Sequence, residues 1–186
     1  MNAPTTLTIS MADTPFADKD LSVVPLLRLD TDQVQFYFQS LYVNDTLKYR
    51  FADIVDPKWD DVKRCITRVG QQMFMVVREG KIVGEYMLEN LAGRAIQGHF
   101  STAPHLTFRQ RIAVGRFVLR SLLNFEPNGE GYMFDAVYGL TPLVNRVACL
   151  YALKIGFKKQ GILPNGTKYL GGYEDCMISV ATRESL

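Results

Sequence analysis

The chain has 186 residues, 47% of them hydrophobic and 22% charged, which suits one domain with a substantial buried core. A formal net charge of +2 is too small for a face built to bind nucleic acid, and no apolar run of about 18 residues offers a membrane span. Cys65, Cys149 and Cys176 are odd in number and far apart, which excludes a disulfide framework and a zinc spacing. No secretory signal is legible at the N-terminus, so reduced thiols in a cytoplasmic protein are expected, as a monomer or homodimer.

In chain order, residues 1–20 read as a tail with a short strand at Leu7–Ser10, and residues 21–186 as the single domain. Leu21–Leu29 is apolar but carries Pro25, so an edge strand or loop is expected there. Thr31 or Asp32 can cap a helix to about Tyr42, with Val34, Phe38 and Leu41 on one side. A helical turn follows at Thr46–Phe51. Trp59, Val62, Cys65, Ile66 and Val69 then repeat at helical spacing up to Gly70. Gln72–Arg78, Lys81–Leu91 and Arg94–Thr102 read as an antiparallel meander turning at Glu79-Gly80 and Ala92-Gly93.

Thr107–Phe125 is predicted as a long helix and Tyr132–Tyr138 as a buried strand. The strand–helix–strand order makes a crossover, so strands 94–102 and 132–138 should run parallel. Thr141 as cap and Pro142 in the first turn predict a last helix to about Lys154, stopped by Gly156. Phe157–Leu163 and Tyr169–Val180 close the chain as strands joined through Pro164-Asn165-Gly166. The fold class expected is a mixed α/β fold: a central, mostly antiparallel mixed sheet with helices on both faces.

Two stretches suggest chemistry. Gln110-Arg111-Ile112-Ala113-Val114-Gly115-Arg116 puts small residues and positive charge near a helix start, where backbone amides and the helix dipole can hold a pyrophosphate. The same small residues also suit a helix–helix contact. Further on, Asn145, Ala148, Lys154, Gly156 and Phe157 form a second pattern, in which Asn145 can alternatively be a cap and Gly156 a helix stop. Glu85, mid-strand, and His99, near the end of a strand, are the candidate general bases. Asp135 reads as a structural hydrogen-bonding group, and no metal-ligand set is seen.

Gln110-x-x-Ala113-x-Gly115 and the Asn145–Phe157 spacing together resemble the GNAT superfamily of N-acetyltransferases. Ala113 stands where the family has Gly. The resemblance implies acetyl-coenzyme A as cofactor and an amine of a protein or small molecule as acceptor. It implies a sheet that splays between strands 94–102 and 132–138. Main-chain N–H groups near Phe100, Ser101 and Thr102 would face the thioester, the amides of Arg111–Arg116 would hold the pyrophosphate, and Asn145 would point to the pantetheine arm. The family's general-acid Tyr position is occupied by Ala152, with Tyr151 beside it as the substitute candidate. The run Gly139–Pro142 through Gly161–Pro164 also looks like small acetyltransferase-like proteins of bacteriophages, which would place it in a bacterial host cytoplasm. A member without turnover that binds a partner is the alternative.

Overall fold

The computed structural model describes residues 7–8, 21–50, 54, 56–66, 72–127, 129 and 131–186. Eight strands build one sheet: β1 (Leu7–Thr8), β2 (Leu21–Pro25), β3 (Gln72–Arg78), β4 (Lys81–Ala92), β5 (Ala95–Thr102), β6 (Ala136–Pro142), β7 (Lys158–Tyr169) and β8 (Gly172–Thr182). Their order across the sheet is β1-β2-β3-β4-β5-β6-β8-β7. Every neighbouring pair is antiparallel except β5 with β6, which the crossover makes parallel. The helices are α1 (Thr31–Val43), α2 (Leu47–Arg50), α3 (Trp59–Ile66), α4 (Phe108–Leu123) and α5 (Arg146–Ile155).

The period-2 alternation of the strands sorts two cores. On one face Tyr86, Leu88, Ile96 and Val137 pack with Val114, Phe117 and Val118 of α4 and Ala152 and Ile155 of α5. On the other, Met73, Met75 and Met87 pack with Val34, Phe38 and Leu41 of α1, Leu47 of α2 and Val62 of α3. Among the described residues no helix is long and apolar enough to cross a membrane.

Several boundaries differ from the sequence expectation. β2 is an inner strand, because the two-residue β1 covers its outer side and Pro25 falls at its end. The predicted helix past Ile66, to Val69 and Gly70, lies outside the described residues, as do Phe51 and Ile9–Ser10. β6 is displaced toward the C-terminus: Thr141 and Pro142 pair with Met177 and Cys176 of β8, so they extend a strand. Asn145 takes the capping role instead, its Oδ1 accepting from the Ala148 amide at 3.1 Å. Pro164-Asn165-Gly166 is absorbed into β7 as an irregularity, and the chain reverses at Leu170-Gly171. Gly156, at φ 124°, ends α5 as expected.

Candidate active site

Strands β5 and β6 hydrogen-bond over three positions only: Ala95 with Ala136, Ile96 with Val137, and Gln97 with Tyr138. Beyond these they part. β5 continues to Thr102, held on its far side by β4 with Thr102 opposite Gly84. β6 continues to Pro142, held on its far side by β8. The sheet is therefore split by a wedge whose walls, Gly98–Thr102 and Gly139–Pro142, keep their outer partners but not each other. Backbone groups in a sheet interior are normally paired, so inner edges of this kind can take hydrogen bonds from a ligand. The closed end is stapled. Asp135 bonds Arg94 Nε at 2.7 Å and Arg183 Nη2 at 2.6 Å, while Arg183 Nη1 reaches the carbonyls of Leu123 and Phe134, both at 2.6 Å. Arg183, then Arg94, hold the Asp135 carboxyl below the ordinary carboxylate range. Its role is structural.

Helices α4 and α5 follow β5 and β6 on the same face of the sheet. They run parallel: the Tyr151 hydroxyl donates to the Arg111 carbonyl at 3.2 Å, and Arg116 Nε donates to the Lys154 carbonyl at 3.2 Å. Both N-termini therefore lie at the open end of the wedge, where their dipoles favour an anion. No acidic side chain occurs in either helix. Thr107 and Gln110 form a capping box, Thr107 Oγ1 accepting from the Gln110 amide at 3.3 Å and Gln110 Oε1 from the Thr107 amide at 2.9 Å. The Arg111 amide bonds the Thr107 carbonyl. Among the described residues the amides of Phe108 and Arg109 carry no hydrogen bond.

This start sets where Gln110–Arg116 lie in the structure. The helix begins earlier than that motif requires, so the amides from Arg111 to Arg116 lie inside the helical ladder. Gln110 is a cap. Arg111 clamps the connector, its guanidinium donating to the carbonyls of Leu106 at 3.0 Å and Pro104 at 2.7 Å. Ile112 is half-buried, and Ala113, Val114 and Gly115 are buried. A Cβ on Gly115 would stand 2.4 Å from the Tyr151 hydroxyl and 2.7 Å from Ile155 Cγ2. Gly115 thus lets α5 approach α4, the helix-contact role left open in the sequence. Tyr151 is engaged in that contact; burial pushes its phenol pKa well up, opposed by the Arg111 guanidinium. Phe100 points to the same side, its ring 6.3 Å from Tyr86 and 6.0 Å from Phe157.

The opposite face of β4 and β5 carries the polar residues. Glu85, opposite Ser101, is 1% exposed and bonds Arg50 of α2 through both carboxylate oxygens, Nη2 at 3.2 Å from Oε2. The Tyr37 hydroxyl is buried beside Ser101 and Glu85 without a well-formed hydrogen bond among the described residues. Burial, then the Glu85 carboxylate, push its pKa far above the phenol range, so it stays neutral. Further along, His99 Nε2 lies 2.7 Å from Glu89 Oε1 and 3.2 Å from Gln97 Nε2. Asn90 Nδ2 donates to Gln97 Oε1 at 2.8 Å, and the Tyr138 hydroxyl donates to the Asn90 carbonyl at 2.8 Å.

The structure brings Glu85, His99 and Ser101 onto one face and Phe100, Tyr151 and Gly115 onto the other, with Asn145 capping α5 at the mouth. Sequence reasoning missed Arg50 and Glu89. Glu89 had a signal: Glu85, Glu89, Gln97, His99 and Ser101 fall at even spacing along two strands, which puts them on one face. Arg50 had none, since it reaches the sheet only through tertiary packing.

No family model and no curated protein sequence matches this chain. Solved structures do. Spermidine N-acetyltransferase from Vibrio cholerae, in complex with CoA and spermine, superposes with a TM-score of 0.65 at 15% identity, covering 89% of this chain and 97% of that one. RimJ from Mycobacterium smegmatis, in complex with a CoA-disulfide, gives 0.62 at 12% identity over 89% and 83%. The microcin self-immunity acetyltransferase MccE, in complex with acetyl-CoA and AMP, gives 0.61 at 12% identity over 88% and 92%. At these identities the likeness is one of fold: the mixed sheet and its flanking helices are those of these acetyltransferases.

Proposed function

We propose that the chain is an acetyl-coenzyme A-dependent N-acetyltransferase acting on an amine of a protein or a small molecule. The observation that carries the reading is the wedge between β5 and β6, open at the end where the N-termini of α4 and α5 lie side by side. The residues present fit the cofactor: unpaired strand edges for a pantetheine arm, and free amides with exposed Arg109 and Arg146 for phosphate. Acetyl-coenzyme A would supply an activated acetyl thioester. Main-chain N–H groups near Phe100–Thr102 would polarise its carbonyl. The phosphate amides in this reading are those of Phe108 and Arg109.

On the acceptor face the two candidate bases are not equivalent. Glu85 has both oxygens committed to Arg50, whereas His99 uses only Nε2. His99 is therefore the base. Tyr151 is tied to the Arg111 carbonyl and Ala152 is buried, so the leaving sulfur takes its proton from the amine or solvent. Cys149 and Cys176 are unbridged thiols, in keeping with a reducing cytoplasm, that of a bacterial host if the chain is phage-encoded.

Thermal unfolding with acetyl-coenzyme A tests the reading. A ligand held at 100-fold its Kd stabilises by about 2.7 kcal/mol, which for a chain of this length raises Tm by roughly 5–10 °C. No shift at saturation refutes it. The partner-binding alternative is favoured by the engaged Tyr151 and buried Ala152. It predicts no shift, whereas a chain that holds coenzyme A without turnover shifts but releases no thiol with spermidine, an N-terminal alanyl peptide or a lysyl peptide.

A further inference from the structure

We infer that Glu89 is a positioning residue that sets the tautomer of His99, making Nδ1 the atom that takes the proton from the acceptor amine. The inference rests on the acetyltransferase reading and adds a residue and an atom to it. His99 sits just past the last β5 position paired with β6, where the wedge opens. Its side chain is 31% exposed and that of Glu89 19%, so the pair is screened from bulk water but reachable. His99 is opposite Met87, which puts Glu89 on the diagonal of the same face.

One ring nitrogen is contested. The Asn90 bond to Gln97 Oε1 turns the Gln97 N–H group toward His99 Nε2, and that contact at 3.2 Å asks Nε2 for a lone pair. The Glu89 carboxylate, at 2.7 Å, asks the same atom for a proton. Both cannot be satisfied. A charge-assisted bond is shorter and roughly twice as strong as a neutral one, so the carboxylate prevails and Nε2 carries the hydrogen. The lone pair is then on Nδ1, which has no hydrogen-bond partner among the described residues. The acceptor ammonium loses one proton to Nδ1, and Glu89 stabilises the imidazolium. The nitrogen forms its bond to the acetyl carbon as the carbon–sulfur bond breaks. The second amine proton goes to sulfur, and the imidazolium returns its proton to water. Without Glu89, Gln97 would draw the lone pair to Nε2 and leave Nδ1 protonated, unable to act as a base.

The imidazole nitrogens report this directly by NMR, because the chain has only 2 histidines and His105 serves as an internal reference. In the wild type His99 should show the Nε2–H signature. Glu89→Leu should convert it to Nδ1–H and lower kcat at least roughly tenfold, with KM for acetyl-coenzyme A little changed. His99→Gln should lose roughly 10²–10⁴-fold, the range of a positioned base. Glu89→Gln keeps the volume and an acceptor oxygen but not the charge that decides the contest, so it should show a mixture of the two tautomers and lose kcat, because the imidazolium has also lost its counter-charge. Adding Gln97→Leu to Glu89→Leu should restore part of the Nε2–H population and of kcat. The inference is overturned if His99 keeps its tautomer in Glu89→Leu. It is also overturned if both Glu89 variants turn over within twofold of wild type while His99→Gln is dead, a result that leaves the transferase reading standing. A wild type that transfers acetyl to none of the spermidine, alanyl-peptide and lysyl-peptide acceptors brings down both.

Discussion

Replacing Gly115 with Ala separates two roles for that residue. An exposed helical Gly→Ala change stabilises by about 0.5–1 kcal/mol through backbone entropy. Here the new methyl would sit 2.4 Å from the Tyr151 hydroxyl, 2.7 Å from Ile155 Cγ2 and 3.0 Å from Tyr151 Cζ. Tyr151 cannot swing away without giving up its bond to the Arg111 carbonyl, and Ile155 is 1% exposed. Overpacking of this kind costs about 1–3 kcal/mol and the lost hydrogen bond about 1 more. The net expectation is a destabilisation of about 1–3 kcal/mol, or a Tm lower by roughly 2–10 °C at this chain length. The clash is shared, so Tyr151→Phe in the same chain should recover part of the loss, and the double-mutant cycle should give a coupling of about 0.5–2 kcal/mol. Calorimetry or urea unfolding measures all four proteins. A Gly115→Ala protein as stable as wild type that nonetheless loses its acetyl-coenzyme A shift would refute the helix-contact argument and return Gly115 to the cofactor.

Arg50→Met leaves the Glu85 carboxylate buried without its partner and should destabilise by about 3–5 kcal/mol in urea unfolding, whereas Arg50→Met with Glu85→Leu should recover most of that; equal losses in the single and double variants would contradict it. Asp135 has its folded pKa lowered by Arg183 and Arg94, so its contribution is fully present above the ordinary carboxylate value and is lost as pH falls through the lowered one. Asp135→Asn should therefore flatten the acid limb of the Tm–pH curve below about pH 4 and leave its shape near neutrality unchanged; an unaltered acid limb refutes the staple.

Much of the fold was legible. The meander at β3–β5, the crossover to a parallel β6 and the closing hairpin follow from period, turn residues and connection length, all local signals. The boundaries that slipped share one cause. Thr141-Pro142 is a good helix start by local chemistry, yet pairing with Cys176 and Met177 of β8 extends the strand through it. Only the distant strand could announce this. Pro164-Asn165-Gly166 is likewise a good turn, overruled by the register of the last hairpin. That Glu85, His99 and Ser101 share one face follows from strand alternation, while the partners of each do not. Gln110 and Gly115 belong to a cap and a helix contact, because the capping box with Thr107 starts α4 ahead of the motif.

The sequence alone determined which strands and helices form, the parallel step between β5 and β6, and the residue types on the polar face of β4 and β5. Those depend on neighbours a few positions apart, where periodicity and backbone preference act. Tertiary structure decided where the sheet opens, that Arg50 occupies Glu85, and that Glu89 and Gln97 compete for one nitrogen of His99. Proton position and charge pairing change over tenths of an ångström, and only packing across the sheet sets such distances.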